Sequence, residues 1–481
     1  MESKFILKGI LPVLIGLLSL PAFSKIVLPE IFSDHMVLQQ QTEASIWGKA
    51  TPNKNVRLVT SWNNQSYTAP TNSNGDWTIK IKTPAAGGPY SISISDGKEL
   101  VLKDILIGEV WICSGQSNME MPLAGWGKVL NYENEIASAD FPNIRLLHIQ
   151  RATSTKPETG IKTVSNGWQV CSPATIPEFS STGYFFGREL FVKLNIPIGL
   201  INTTWGGTIA EAWTSSESLE LMPDFRDAVQ KIKSENPLIP QTPDNPNQTT
   251  VLYKAMIYPL IPYAFRGVIW YQGESNAGRA YQYRDLFPLM IRDWRKNWDR
   301  DFPFYFVQLA SFMKRETEPQ ESGWAELREA QLQTLRLKNT GMAVAIDIGD
   351  AEDIHPKNKQ EVGKRLAYIA EANTYDLSVV FSGPIYESYT IENNAIRIKF
   401  KYAENGLKTG DGKALTGFAI AGPDHQFRWA KAVIEGNDVV IGSPDVEFPV
   451  AVRYGWANNP DCNLCNDAGL PASPFRTDDW R

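Results

Sequence analysis

The chain is 481 residues long, with a formal net charge of −6, 43% hydrophobic residues and 21% charged residues. Such a length accommodates roughly three domains and a large core. There is no long basic run, so nucleic acid is disfavoured as a partner, because neutralising phosphates takes clustered Lys and Arg.

The first residues read as a targeting segment. Lys4 and Lys8 form a positive region, and Ile10 to Leu20 form an apolar stretch too short to span a bilayer comfortably. Ala22-Phe23-Ser24 then offers small residues at a cleavage site. Residues 1–24 are expected to be a signal peptide, with an uncleaved anchor as the alternative. No Cys follows the apolar stretch, so a lipoprotein anchor is not indicated. The mature chain is expected to be exported, periplasmic or secreted, with no membrane association after cleavage.

Residues 25–105 read as β. Trp77, Ile79 and Ile81 alternate with Thr78, Lys80 and Lys82, the period of a half-buried strand. Asn74-Gly75 just before them is a hairpin signal. Tyr90, Ile92 and Ile94 repeat the alternation, and short strands between Pro, Asn and Gly clusters predict a small sandwich.

From about 106 to 375 the pattern changes to short apolar runs alternating with helical stretches. The predicted strands are Val110–Cys113, Ile144–Ile149, Ile198–Asn202, Gly267–Tyr271, Phe304–Leu309 and Met342–Ile348. The predicted helices are Thr182–Leu194, Tyr281–Trp298, Trp324–Leu337 and Lys359–Ala372. This alternation predicts an α/β domain with a parallel sheet covered on both faces. A stretch at about 216–250, with Pro237, Pro240, Pro243 and Pro246, reads as a loop-rich excursion that either rims a cleft or is solvated filler. Residues 376–481 read as a second β module. Ile396, Ile398 and Phe400 alternate with Arg397 and Lys399, and Gly436-Asn437 marks a hairpin. Its place in the chain allows it to pack against the first module.

The chemistry-bearing segments share one topological address. Gly115-Gln116-Ser117-Asn118-Met119, Thr203–Gly207, Gln272–Asn276 and the Asp350–His355 loop each follow a predicted strand. In open parallel sheets, sites gather at such carboxyl ends. Ser117 opens a helix after an apolar strand, where a hydroxyl is exposed and developing negative charge is favoured. Asp353-Ile354-His355-Pro356 supplies a base and a carboxylate. The other two segments offer donors for an oxyanion. Together these residues predict a serine esterase.

Four cysteines remain: Cys113, Cys171, Cys462 and Cys465. The last two are spaced like half a zinc site or a redox pair, but no second CxxC or HxxxH accompanies them. They read as a local disulfide or two free thiols, and Cys113 as a buried small hydrophobe. No metal site or nucleotide loop stands out, and serine chemistry needs no cofactor. The sequence carries no signal for oligomeric state.

The same residues carry a family likeness. The segment Ile112–Met119, containing Gly115-Gln116-Ser117-Asn118, resembles the nucleophile block of the sialate O-acetylesterase family, a branch of the SGNH hydrolases. Thr204-Trp205-Gly206-Gly207-Thr208 with Glu211-Ala212-Trp213, then Trp270–Asn276, then Asp353–Pro356, resemble its later blocks in order. Pro29–Gln39 is similar to the start of such proteins, so the likeness spans nearly the whole mature chain. The resemblance implies a flavodoxin-like SGNH hydrolase domain flanked by N- and C-terminal β modules. It also implies removal of O-acetyl groups from sugars, acetylated sialic acid being the named substrate. Two departures matter. Gln272 stands where many relatives use Asn, and the acid of the last block is Asp353, two residues before His355. The wider pattern has the acid three before, which here is Glu352.

Ester hydrolysis needs a nucleophile, a base and fixed oxyanion donors. Ser117 is the expected nucleophile and His355 the base. Asp353 is expected to orient the imidazole, with Glu352 as runner-up. The oxyanion donors are expected to be the N–H groups of Ser117 and Gly207 (or Gly206) and the side chain of Gln272. Trp205, Trp213, Glu274 and Asn276 are candidates for the substrate pocket. Either tryptophan could equally be core, and Glu274 reads first as a buried partner of an arginine. A sialic acid site should hold a cleft arginine, for which Arg266, Arg279 and Arg284 are candidates. The alternatives are an esterase for acetylated xylan or another polysaccharide, and a non-catalytic carbohydrate-binding protein on an esterase fold.

Overall fold

One long strand, Glu99–Gly115, organises the molecule. The computed structural model describes residues 26–234 and 245–480. The expected signal peptide, and Pro237, Pro240 and Pro243 of the expected excursion, lie outside the described residues. The first half of the long strand pairs antiparallel with Gly87–Ser95 of the N-terminal module. Its second half is the centre of a parallel sheet. The expected boundary at 105/106 therefore falls inside a single continuous strand.

The sheet order is Thr340–Val344, Phe304–Gln308, Gly267–Tyr271, Glu99–Gly115, Ile198–Thr204, Phe141–His148 and Gln169–Cys171. All neighbours are parallel except the last pair. Without the last two strands of that order, Phe141–His148 and Gln169–Cys171, the order is the flavodoxin-like 2-1-3-4-5. Strands such as Gly267–Tyr271 and Ile198–Thr204 are buried along their whole length. That explains why they read as unbroken apolar or small-residue runs rather than alternating ones.

Helices cover both faces. Phe304 and Phe306 point at Phe287 of the Ala280–Asn297 helix. Tyr305 between them stacks on Trp111 and bonds Thr374, on the side of the Ser181–Leu194 and Lys359–Asn373 helices. The helix starts are capped by Ser180, Ser322 and Asn358, whose side chains accept backbone N–H groups of the first turn. The Gly323–Thr334 helix begins at the second of these caps.

The N-terminal module is a small sandwich, with one correction. Asn74-Gly75 does not close a hairpin. The strand before it, Ser66–Pro70, pairs with Asn55–Thr60, whereas Asp76–Lys82 pairs with Glu43–Lys49 in a separate sheet. The turn carries the chain from one layer to the other. In the C-terminal module the Gly436-Asn437 hairpin is present, joining Lys431–Glu435 to Asp438–Gly442. That module has its own core, including Ile396, Ile398, Val439, Tyr454 and Phe475. No hydrogen bond or ion pair joins it to the N-terminal module among the described residues. Among the described residues, its hydrogen bonds to the rest of the chain go to the central domain. Arg328 alone donates to Ala457 O and Asn458 O, and Gln308 bonds Ser473. All four cysteines are free thiols. Among the described residues no helix is long and apolar enough to cross a membrane.

Candidate active site

Three strands of the central sheet end at the same level. Gly115 is in register with Thr204 on one side and Tyr271 on the other. Gly115 has a φ of +136°, and a Cβ there would lie 2.2 Å from Tyr271 O. Glycine lets the chain turn sharply while Gln116 N–H bonds Tyr271 O at 3.0 Å. Ser117 follows, half-buried, as the first residue of a helix only four residues long, Ser117–Glu120. So short a helix has little macrodipole; what it offers is unpaired N–H groups. Gln116 ties the first loop to the third, its Oε1 accepting the N–H groups of Gly273 and Ser275.

The second loop is held by Glu120, a buried acid on the nucleophile helix. Its Oε2 accepts Gly206 N–H at 2.7 Å, and its Oε1 is ion-paired with Arg151. A Cβ on Gly206 would sit 2.8 Å from Glu120 Oε2 and 3.3 Å from Ser117 Cβ. The backbone of this loop therefore passes directly against the nucleophile. The N–H groups of Ser117 and Gly207 have no acceptor among the described residues. Arg151 has about half of its side chain exposed, and its guanidinium lies 5.7 Å from the centre of the Trp205 ring.

The fourth loop meets the first through Asn118. Its Nδ2 donates to Ile354 O at 3.0 Å and to Glu274 Oε1 at 2.6 Å, and its Oδ1 accepts Lys359 Nζ at 2.7 Å. Residues adjacent to Ser117 and to His355 are thus bonded to each other. Asp353 Oδ1 accepts the backbone N–H of His355 at 2.8 Å and lies 3.5 Å from His355 Nδ1. The ring of Trp126 meets the imidazole edge-on, 5.2 Å between centres. Glu352 is exposed, and its N–H bonds Asp350. Of the two acids, Asp353 is the one beside the imidazole.

Electrostatics fit a neutral imidazole next to a charged acid. Burial, then the Lys359 charge, hold the His355 pKa below its ordinary value, against the opposing pull of Asp353. Burial alone would raise Asp353. The His355 N–H and the Lys357 ammonium, 3.0 Å from Oδ2, outweigh it and keep the carboxyl below the usual range.

Several expected site residues turn out to be scaffold. Both amide hydrogens of Gln272 are committed, to Asn276 Oδ1 at 2.6 Å and Thr208 O at 3.1 Å, while Tyr283 donates to its Oε1. Gln272 therefore presents no free oxyanion donor; it braces the residue after Gly207. Asn276 is 1% exposed, holding Ala210 N–H and Glu211. Trp213 is fully buried against Trp270, its Nε1 donating to Thr208. Glu274 pairs with Asn118 rather than with an arginine. Of the four pocket candidates, Trp213 and Asn276 are buried, whereas Trp205 and Glu274 are partly exposed. Arg266 and Arg284 are occupied elsewhere, by Glu109 and Glu329. Arg279 pairs with Glu211. Arg151, which pairs with Glu120 of the Ser117–Glu120 helix, follows the Phe141–His148 strand in a segment with no recognisable motif. Lys359, Glu120 and Trp126 likewise carry no sequence signal beyond composition.

Comparison with known proteins gives the family. A family model described as carbohydrate esterase, sialic acid-specific acetylesterase, matches residues 107–371. The chain is 28% identical to sialate O-acetylesterases of mouse and human, across 92% of its own length and 92% and 91% of theirs. A solved carbohydrate acetylesterase from Xanthomonas citri superposes with a TM-score of 0.86 at 38% identity, covering 95% of this chain and 100% of that one. The chain belongs to the carbohydrate esterase, sialic acid-specific acetylesterase family.

Proposed function

We propose that this protein is a serine esterase that removes O-acetyl groups from sugars, acetylated sialic acids foremost, through an acetyl-enzyme on Ser117. Ser117 Oγ attacks the acetyl carbonyl while His355 takes its proton. The N–H groups of Ser117 and Gly207 receive the oxyanion. The intermediate collapses, the sugar oxygen leaves with the proton from His355, and the acetyl group stays on Ser117. Water, deprotonated by His355, then releases acetate and restores the serine. Asp353 fixes the imidazole and stabilises its charged form. The observation that carries this reading is the Asn118 amide, which joins the chain beside Ser117 to the chain beside His355. With the residues 1–24 segment read as a signal peptide, the enzyme acts outside the cytoplasm.

The choice of sugar rests on Arg151. A sialic acid carries a carboxylate, and the half-exposed guanidinium over Trp205 is a charged donor at the rim of the Ser117 loops. A second reading is an esterase for acetylated xylan or another polysaccharide, which is compatible with the likeness to the Xanthomonas citri carbohydrate acetylesterase.

Hydrolysis of acetylated sialic acids, acetylated xylan and p-nitrophenyl acetate by wild type and Arg151→Ala separates them. We expect wild type to prefer the sialates. Arg151→Ala should lose about 10–10²-fold more in kcat/KM on them than on p-nitrophenyl acetate, the worth of one charge-assisted hydrogen bond, whatever it loses on both through the freed Glu120. A wild-type preference for xylan, with Arg151→Ala affecting all three substrates alike, would establish the second reading. Equal rates for wild type and Ser117→Ala would leave a binding protein.

A further inference from the structure

The carbonyls on either side of His355 are both tied to Asn118, the residue after the nucleophile. Ile354 O accepts Asn118 Nδ2 directly at 3.0 Å. Pro356 O accepts Lys359 Nζ at 2.7 Å, and the same ammonium donates to Asn118 Oδ1 at 2.7 Å. Lys359 has no solvent exposure, although it stands in the first turn of a helix, where a surface lysine would be ordinary. Its ammonium lies 5.8 Å from the centre of the Tyr271 ring. A buried ammonium is costly unless hydrogen-bonded and compensated. Here the compensating charge is Glu274, on the far side of the same Asn118 amide, with Oε1 accepting at 2.6 Å. The other oxygen, Oε2, has neither a protein partner nor contact with solvent. One amide thus separates a buried cation from a buried acid, between the nucleophile helix and the base loop.

We propose that Lys359 is a positioning residue of the esterase reaction: its ammonium locks the His355 turn to the Ser117 helix and keeps a positive charge behind the imidazole, so that the base meets the nucleophile in its neutral form. The proposal rests on the serine-esterase reading above. Three charged groups face the imidazole: Lys359 and Lys357 favour its neutral form, and Asp353 opposes them. Glu274, Lys357 and Asp353 in turn face Lys359, and burial brings its own pKa down to about 7. In the acid range where an imidazole titrates, Lys359 is therefore charged. Removing that charge raises the His355 pKa, so the acid limb of kcat/KM moves to higher pH.

The test uses the full chain with p-nitrophenyl acetate and two variants, Lys359→Met and Lys359→Gln. Both should fold, lose about 10²-fold in kcat through a displaced base, and shift the acid limb upward. The Gln variant keeps an amide donor and should lose less kcat, with the same limb shift. Folded variants with parental kcat and an unmoved limb would overturn the proposal. So would a kcat loss without a limb shift, which a merely structural role would give, or loss of the fold in both. If wild type lacks Ser117-dependent hydrolysis, the esterase reading itself fails. A Ser117-dependent wild type with unaffected Lys359 variants refutes only the role of Lys359.

Discussion

At the scale of single residues, the proposed reaction requires His355 to be unprotonated. Burial and the neighbouring lysines hold its pKa below the ordinary imidazole value, so the neutral form persists to lower pH than in a free histidine. The base must be neutral to accept the serine proton. The acid limb of kcat/KM should therefore fall below about 6.5, and a pH–rate profile on p-nitrophenyl acetate checks this; a limb well above that value would contradict it. Ser117 and His355 stood out in the sequence as candidates because few residue types can do the chemistry proposed for them. Gln272, Asn276 and Trp213 share the same motifs but brace the loops, since buried turns need amides and rings as much as substrates do. The distinction between Asp353 and Glu352 depends on loop conformation, which spacing alone does not fix. Arg151 was missed because a lone arginine after a strand looks like any surface arginine.

At the scale of elements, the site exists because loops from adjacent parallel strands start at one level. The second loop comes so close to the nucleophile that Gly206 has no room for a side chain. A Gly206→Ala chain must displace Glu120 Oε2, on a carboxylate that Arg151 holds through Oε1, or push back Ser117. We expect kcat to fall at least about tenfold, with the melting temperature changed far less. Steady-state kinetics beside a thermal melt measure both, and parental kcat would show that the loop gives way without cost to the nucleophile. The central strands were readable, some to the residue as in Gly267–Tyr271, because strands buried on both faces have continuous apolar sequences. The Asn74-Gly75 turn was misread for a different reason. Turn residues fix a local reversal of the chain, not which sheet receives the next strand.

At the scale of the whole molecule, the two β modules are attached differently. The N-terminal one continues into the catalytic sheet through Glu99–Gly115. The C-terminal one has a separate core and is pinned by side chains, with Arg328 at the centre of the joint. Arg328 is fully buried, donating to Leu309 O and Ala310 O on one side and Ala457 O and Asn458 O on the other. Arg328→Met would strand Leu309 O and Ala457 O, while Ala310 O and Asn458 O keep the Trp324 indole and the Phe312 N–H, so it should cost at least about 2 kcal/mol. Limited proteolysis should then release the C-terminal module before the catalytic domain unfolds. A variant with the parental melting point and cleavage pattern would contradict that view of the joint. The existence of both modules was legible from strand periodicity. Where the second one docks was not, because its partners are single buried polar residues with no periodic pattern.

The central claim is that an acetyl group passes through Ser117. Rapid mixing with p-nitrophenyl acetate, acid quench and peptide mass analysis test it directly. The account predicts a burst of nitrophenol and an acetyl adduct on the peptide containing Ser117, both lost in Ser117→Ala. Hydrolysis at the parental rate by Ser117→Ala, or an adduct on a different residue, would contradict it.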